Sequence, residues 1–270
     1  MNRDGPHFLI VGAQKAGTTS LLSALGQHPD VWVPPQKELH FFDLYWERGA
    51  AWYESLFVPG AGACIRGEST PYYLWHPRAA ERVWRYRKDM KLIVLLRDPV
   101  ERAVAHYHHA VRQGFESLPL AEALAVEPDR LRGEHARLCR DPQAQSFAHQ
   151  NHSYRARGFY LNQLQVWLEY FSRDQLLVLE MGELVRHPVA GLNRCLAFLG
   201  LHPQPLVFPC LNTGPYPTLD IDLNGLALEY QNDNRKLQDW LGSPLHWLEP
   251  NFCLVQWGRE FNPPTGSGVP

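Results

Sequence analysis

Phe8-Leu9-Ile10-Val11-Gly12-Ala13-Gln14-Lys15-Ala16-Gly17-Thr18-Thr19-Ser20 is the stretch that decides the fold. Four apolar residues, the last β-branched, read as a strand buried on both faces, the habit of a parallel sheet. Glycines and a lysine follow, then Thr-Thr-Ser and the helical spacing of Leu21, Leu22 and Leu25. Strand, glycine-bearing turn and helix start together make an anion site, because backbone N–H groups and the helix dipole converge on one point. Gly12 and Gly17 stand where a nucleotide-triphosphate phosphate loop, G-x-x-x-x-G-K-[ST], has its two glycines. Thr18 occupies the lysine slot, however, and Lys15 sits inside the loop. A lysine after the second glycine reaches the β/γ phosphates of a triphosphate. At the crown of the loop it suits a shorter ligand, with one 5′-phosphate and a transferable group. By spacing alone, an ordinary βα turn reads the same way.

Working outward, Lys91-Leu92-Ile93-Val94-Leu95-Leu96 is another continuous apolar strand, running into Arg97-Asp98-Pro99-Val100-Glu101-Arg102. Pro99 at a first helical position and the acidic Glu101 mark a helix N-terminus. An arginine at such a junction is placed for a second phosphate. Val31-Trp32-Val33 reads as a short strand, and Cys64 to Trp75 as a short strand entering a polar turn. Tyr154-Arg155-Ala156-Arg157-Gly158-Phe159-Tyr160 opens a helix with Leu161, Leu164, Trp167, Leu168 and Phe171 on its apolar face, followed by the strand Leu176-Leu177-Val178-Leu179. Asn224 to Leu241 is the last clear helix. The alternation predicts a three-layer α/β/α fold with a central parallel sheet, its ligand at the carboxyl ends of the strands.

Composition sets bounds. The 270 residues, 45% hydrophobic and 20% charged, fit one globular domain, taken as 1–261, with a disordered tail over 262–270. A net charge of −2 gives no field for nucleic acid. No apolar run approaches a membrane span, and Met1 to His7 lack a signal-peptide core, so a soluble, cytoplasmic protein is expected. Five scattered cysteines, odd in number and without a C-x-x-C pair, argue against a disulfide framework or a zinc site.

Lys37-Glu38-Leu39-His40-Phe41-Phe42-Asp43 places a carboxylate beside a lysine, a histidine and two aromatics. Aromatic surroundings raise a carboxylate's pKa toward the working range of a base, and a neighbouring cation lowers it again. A solvated Lys-Glu pair is the plainer reading of that spacing. His106-Tyr107-His108-His109 puts His106 and His109 on one helical face, but no carboxylate or cysteine falls at ligand spacing, so the stretch reads as an active-site or groove helix and no metal is expected. His76 to Arg87 reads as a solvated basic helix. Residues 115–152 read as a polar, irregular insertion with a helix over 119–126.

Gly12-Ala13-Gln14-Lys15-Ala16-Gly17-Thr18-Thr19-Ser20-Leu21 closely resembles the 5′-phosphosulfate loop of sulfotransferases that use 3′-phosphoadenosine 5′-phosphosulfate (PAPS). Lys37 to Asp43 is similar to the segment following that loop in the heparan sulfate-type enzymes, where the glutamate is the catalytic base. Arg97-Asp98-Pro99-Val100-Glu101-Arg102 resembles the family's 3′-phosphate motif. The Gly158-Phe159-Tyr160 helix, the Leu176–Leu179 strand and Phe198-Leu199-Gly200 match the family's later pattern. The resemblance implies sulfonate transfer from PAPS to a hydroxyl or amine, with Lys15 and Glu38 catalytic. It implies that Lys15, Ala16, Gly17, Thr18, Thr19 and Ser20 bind the 5′-phosphosulfate, and that Arg97, Thr213 and Gly214 bind the rest of the cofactor. The insertion over residues 115–152 reads as an acceptor-side flap, and the resemblance makes Trp46, Trp52 and Tyr53 either acceptor-stacking or packing residues. Arg155 or Arg157 then binds phosphate or an acidic acceptor, or lies on the surface.

The chain departs from the family at three places. Ser69 stands where the family has a sulfonate-neutralising lysine, and Ala105 where it has a phosphate-binding serine, with His106 a candidate substitute. Of a basic Lys-Gly-Arg loop only Gly214 survives, between Thr213 and Pro215. Two other readings follow: a phosphate-loop kinase, which Thr18 disfavours, and a non-catalytic nucleotide-binding module, which retention of Lys15 and Glu38 disfavours. The acceptor is expected to be a small molecule or carbohydrate, with the near-neutral charge and many tryptophans favouring a small or uncharged one.

Overall fold

The structure, a computed structural model, describes residues 4–58, 62, 64–211 and 222–248. Thr213, Gly214, Pro215, Cys253 and the expected tail at 262–270 lie outside the described residues. Five parallel strands form one sheet in the order β2-β3-β1-β4-β5: β1 (Phe8–Gly12), β2 (Val31–Trp32), β3 (Ile65–Ser69), β4 (Lys91–Leu96) and β5 (Leu176–Glu180). The apolar runs are what such a sheet requires, since both faces are covered. Phe8 to Val11 and Leu92 to Leu95 have no exposed surface. β4 pairs with β5 from Leu92 opposite Leu176 to Leu96 opposite Glu180.

β1 is the central strand, and the chain reverses its direction of travel across the sheet beside it. Right-handed crossovers therefore put successive helices on opposite faces. The helix α1 (Thr18–Leu25) carries the chain toward β2 and touches α10 (Pro188–Leu199) on one face. On the other lie α2 (Gly49–Ser55), α3 (Ala79–Tyr86) and α8 (Tyr160–Leu168), with Tyr86 edge-on to Tyr53 at 5.5 Å. The helix α11 (Asn224–Leu241) packs on α8 and on α4 (Pro99–Arg112). α4 starts as expected, with Pro99 in its first turn and the Asp98 carboxylate accepting from Glu101 N at 2.8 Å.

Two expectations change. Residues 115–152 are largely helical: α5 (Leu120–Leu131), α6 (Glu134–Arg140) and α7 (Phe147–Asn151). α5 runs through Pro128, because tertiary hooks outweigh the lost N–H. Glu116 pairs with Arg130 at 2.5 Å, and the buried Glu127 carboxylate accepts from the N–H groups of Arg155 and Ala156 at 2.8 Å each. In α3, Arg82 faces inward at 3% exposure, so that helix is not merely a solvated basic face. No helix of the described residues is long and apolar enough to cross a membrane. Cys64, Cys139, Cys195 and Cys210 are free thiols.

Candidate active site

The loop leaving β1 is shaped by two left-handed residues. Lys15 has φ 69° and Gly17, the N-cap of α1, has φ 88° and ψ 18°. Alternating right- and left-handed conformations turn successive N–H groups toward one side, the geometry of an anion nest. Gly17 has a second reason to be glycine: a Cβ there would meet Met181 Sδ at 2.7 Å. Gly12 has a packing reason alone, since its Cβ would lie 2.6 Å from that of Leu74. The amides of Thr18, Thr19 and Ser20 open α1 without intrahelical partners, and no side chain caps them. The other expected loop residues differ in role. Ala16 is buried and its N–H is spent on Ala13 O (3.1 Å), so it shapes the loop. The Ser20 hydroxyl accepts from Leu211 N at 3.1 Å and ties down the segment leading to residue 212.

Arg97, at the end of β4, joins the two expected phosphate positions. Its Nη1 donates to Lys15 O at 3.2 Å and its Nε to Glu101 Oε2 at 2.9 Å. Tyr160 OH donates to Arg97 O at 2.8 Å and fixes that junction. Around the Lys15 ammonium, burial and the charges of Arg112 and Arg97 lower its pKa to about 8, with Glu38 acting in the opposite direction. Lys15 and Glu38 are thus electrostatic neighbours, although 22 residues separate them in sequence. Burial and the charges of Lys15 and Arg112 also lower the pKa of His109. His109 and Arg112, one turn apart on α4, therefore belong to this neighbourhood.

The carboxylate of Glu38 is 30% exposed and sits 3.5 Å from Lys37 Nζ and 3.3 Å from His40 Nε2. The other nitrogen of His40 meets the buried Asp43 carboxylate at 2.8 Å. Burial works against a charge on His40, but its contacts with Asp43 and Glu38 outweigh it and raise the pKa to about 10. His40 is therefore an imidazolium between two carboxylates. Burial pushes the Glu38 carboxyl up, while the hydrogen bond from His40 and the charge of Lys37 bring it below the ordinary carboxylate range, so Glu38 is ionised at neutral pH.

A buried hub holds the loop over residues 37–43. Glu68, 1% exposed, accepts from Tyr53 OH (3.0 Å), Tyr73 OH (2.8 Å) and Thr70 Oγ1 (2.8 Å). Tyr73 and Thr70 in turn accept from the N–H groups of Phe41 (2.9 Å) and His40 (3.3 Å). Arg82 donates to the carbonyls of Phe42 and Asp43, both at 2.9 Å, and to that of Pro142. Tyr53, stacked on Phe41 at 4.2 Å and wholly buried, is a packing residue. Sequence reasoning missed Arg82, whose side-chain hydrogen bonds reach 39 or more residues away and leave no local signal. It places His109 on an active-site or groove helix, and the same helical spacing could have added Arg112.

The three departures also have structural addresses. Ser69 is 1% exposed and its hydroxyl has no hydrogen-bond partner in the structure. Ala105 is wholly buried. His106 lies against Arg102 and the Tyr154 ring at 1% exposure, with burial holding it neutral. It therefore faces the interior. Arg155 pairs with Glu229 at 2.5 Å, and Arg157 is buried. Among the described residues, no group of three or more His, Cys, Asp or Glu is arranged to hold a metal ion.

The central strand of the parallel sheet thus ends in a loop with the backbone of an anion nest, and the Glu38 carboxylate acts on the charge of that loop's lysine. Residues 5–208 match the sulfotransferase domain family. The chain belongs to the sulfotransferase family. Within it, the chain is 34% identical over 200 residues to heparan sulfate glucosamine 3-O-sulfotransferase 6 of Homo sapiens, covering 73% of this chain and 52% of that protein. To the 3B1 sulfotransferase of Mus musculus it is 33% identical over 273 residues, covering 90% of this chain and 65% of that protein. The chain thus spans between about half and two thirds of the length of these curated relatives. A solved sulfotransferase from Alicyclobacillus acidocaldarius matches with a TM-score of 0.70 at 33% identity, covering 89% of this chain and 97% of that one. The sulfotransferase family accounts for the parallel sheet with flanking helices.

Proposed function

We propose that this sulfotransferase-family chain moves a sulfonate group from PAPS to a hydroxyl or amine of a small-molecule or carbohydrate acceptor. The observation that carries the reading is the loop after β1, with left-handed Lys15 and Gly17 at the start of α1 and with the charge of Glu38 acting on Lys15. The nest fits a 5′-phosphosulfate: its donors are backbone amides, one lysine and the end of a helix. The unpartnered hydroxyl of Ser69 is a further donor that an anion would satisfy. When bound, PAPS would supply the activated sulfonate and a phosphate leaving group.

Lys15 and the Gly17, Thr18, Thr19 and Ser20 amides hold negative charge in place, where fixed dipoles act most strongly. Arg97 is the side chain placed for the 3′-phosphate. Glu38 takes the acceptor's proton, and His40, fixed by Asp43, holds Glu38 in orientation. In an acceptor complex, displacing water from Glu38 raises its basicity. Tyr45, Phe115 and Phe147 are exposed large apolar side chains, and Gln145 Nε2 donates to Leu44 O at 3.1 Å, bringing the start of α7 against the base loop. These aromatics and the net charge of −2 favour a small or uncharged acceptor over a polyanion.

The test is calorimetric titration with 3′-phosphoadenosine 5′-phosphate and, separately, with ATP and magnesium. Binding of the first and not the second is expected. Binding of ATP alone would overturn the reading and give Lys15 another role.

A further inference from the structure

Arg157 is a buried cation that the chemistry above does not use. It is 3% exposed, and its hydrogen bonds all end on neutral oxygens. Nε donates to Ser153 Oγ (2.8 Å), and Nη2 to the carbonyls of His149 (3.1 Å) and Gln150 (2.5 Å). Nη1 reaches across to Gln14 Oε1, in the crown of the anion loop, at 2.8 Å. The guanidinium also lies over the Tyr72 ring, 4.9 Å from its centroid. A buried charge whose hydrogen bonds all go to neutral atoms is costly, and the opposite charges of Glu38 and Glu127 offset part of that cost.

The contact with Gln14 has a direction. A guanidinium only donates, so the Gln14 atom facing it is the carboxamide oxygen. The amide nitrogen, with two N–H donors, is left on the other side of a half-exposed side chain adjacent to Lys15. Accepting from a cation also polarises the amide and makes its N–H a stronger donor. A neutral donor suits this position. Burial and the charges of Arg112 and Arg97 already lower the Lys15 pKa to about 8, and another cation would lower it further.

We propose that Arg157 orients Gln14 so that its carboxamide N–H donates to the anionic group held in the 12–20 loop, making Gln14 a ligand-contacting residue and Arg157 a positioning residue. This rests on the PAPS reading and adds a contact in the neighbourhood where Ser69 supplies no charge.

The decisive variant is Gln14→Glu, because the two roles respond to it in opposite ways. A carboxylate still accepts from Arg157 and forms an ion pair, so a purely structural latch is kept or strengthened. The same change turns a donor into a negative charge facing the anion. We expect a melting temperature at or above wild type, with affinity for 3′-phosphoadenosine 5′-phosphate reduced about a hundredfold. Affinity within about threefold of wild type would overturn the proposal. If Gln14→Glu does not fold, Gln14→Leu carries the comparison: a loss of about tenfold supports the donor role, and unchanged affinity removes it. Wild-type protein titrated alongside separates the two levels. Wild type failing to bind the nucleotide overturns the functional reading and this proposal with it, whereas binding by wild type and by Gln14→Glu alike overturns only this proposal.

Discussion

The two loops that meet at the site are built in different ways. The anion loop after β1 is shaped by its own residues, left-handed Lys15 and Gly17 and the first amides of α1. The base loop over residues 37–43 is held from elsewhere, by Tyr73 and Thr70 on the Glu68 hub and by Arg82 from α3. The first takes its shape locally and is tied at Lys15 O and Gln14 by Arg97 and Arg157, whereas the second takes its shape from distant buried side chains. Damage to the first should show in cofactor affinity, and damage to the second in turnover.

The largest effect tests that division directly. Glu38→Gln is expected to lower turnover about a hundred- to ten-thousand-fold, the usual worth of a general base, with affinity for 3′-phosphoadenosine 5′-phosphate within about threefold of wild type. Steady-state kinetics and calorimetry on one preparation check it, and equal losses in both would erase the comparison.

Next comes Arg82→Met, which keeps volume and strands the carbonyls of Phe42 and Asp43. Turnover is expected to fall about ten- to a hundredfold through misplacement of the base, and stability by about 2–3 kcal/mol. Nucleotide affinity should hold. Weaker binding with turnover intact would mean that Arg82 serves the anion loop instead.

A smaller effect is read from pH. Lys15 has its pKa lowered to about 8 by burial and by Arg112 and Arg97, and the anion needs its protonated form. Affinity should be level below that pH and fall about tenfold per unit above it, a limb that Lys15→Arg should move upward. His40 titrates in the base loop with the opposite shift. Its pKa is raised to about 10, so its stabilising contacts are complete below about pH 6.5 and are lost as pH rises through 10. A melting curve that falls over that alkaline range in wild type and flattens in His40→Gln is expected.

The smallest change is Gly17→Ala. It places a Cβ at φ 88° and against Met181, costing about 1–3 kcal/mol. Affinity should weaken more than turnover. Thermal denaturation with and without nucleotide measures both.

Much of the molecule was legible because it depends on neighbours along the chain. The runs at Phe8 and Lys91 announced buried parallel strands, Pro99 and Glu101 announced a helix start, and Gly12 to Ser20 carried a phosphosulfate-loop resemblance that spacing alone left open against an ordinary βα turn. The family motif singled out Glu38. What sequence could not show was distance between remote segments. Nothing near Glu127 says that its carboxylate holds the amides of Arg155 and Ala156 and so supports a helix through Pro128. Nothing near Arg82 or Arg157 distinguishes a surface arginine from a buried clamp.

By itself, then, the sequence determined the strands, the caps and the loop glycines, because hydrophobic period and left-handed backbone are properties of a few adjacent residues. Tertiary structure alone decided that Glu38 acts on the charge of Lys15, that His40 is charged between two carboxylates, and that Arg157 reaches Gln14 across 143 positions. Those facts depend on burial and on the low dielectric of a packed interior, which exist only once the chain has folded.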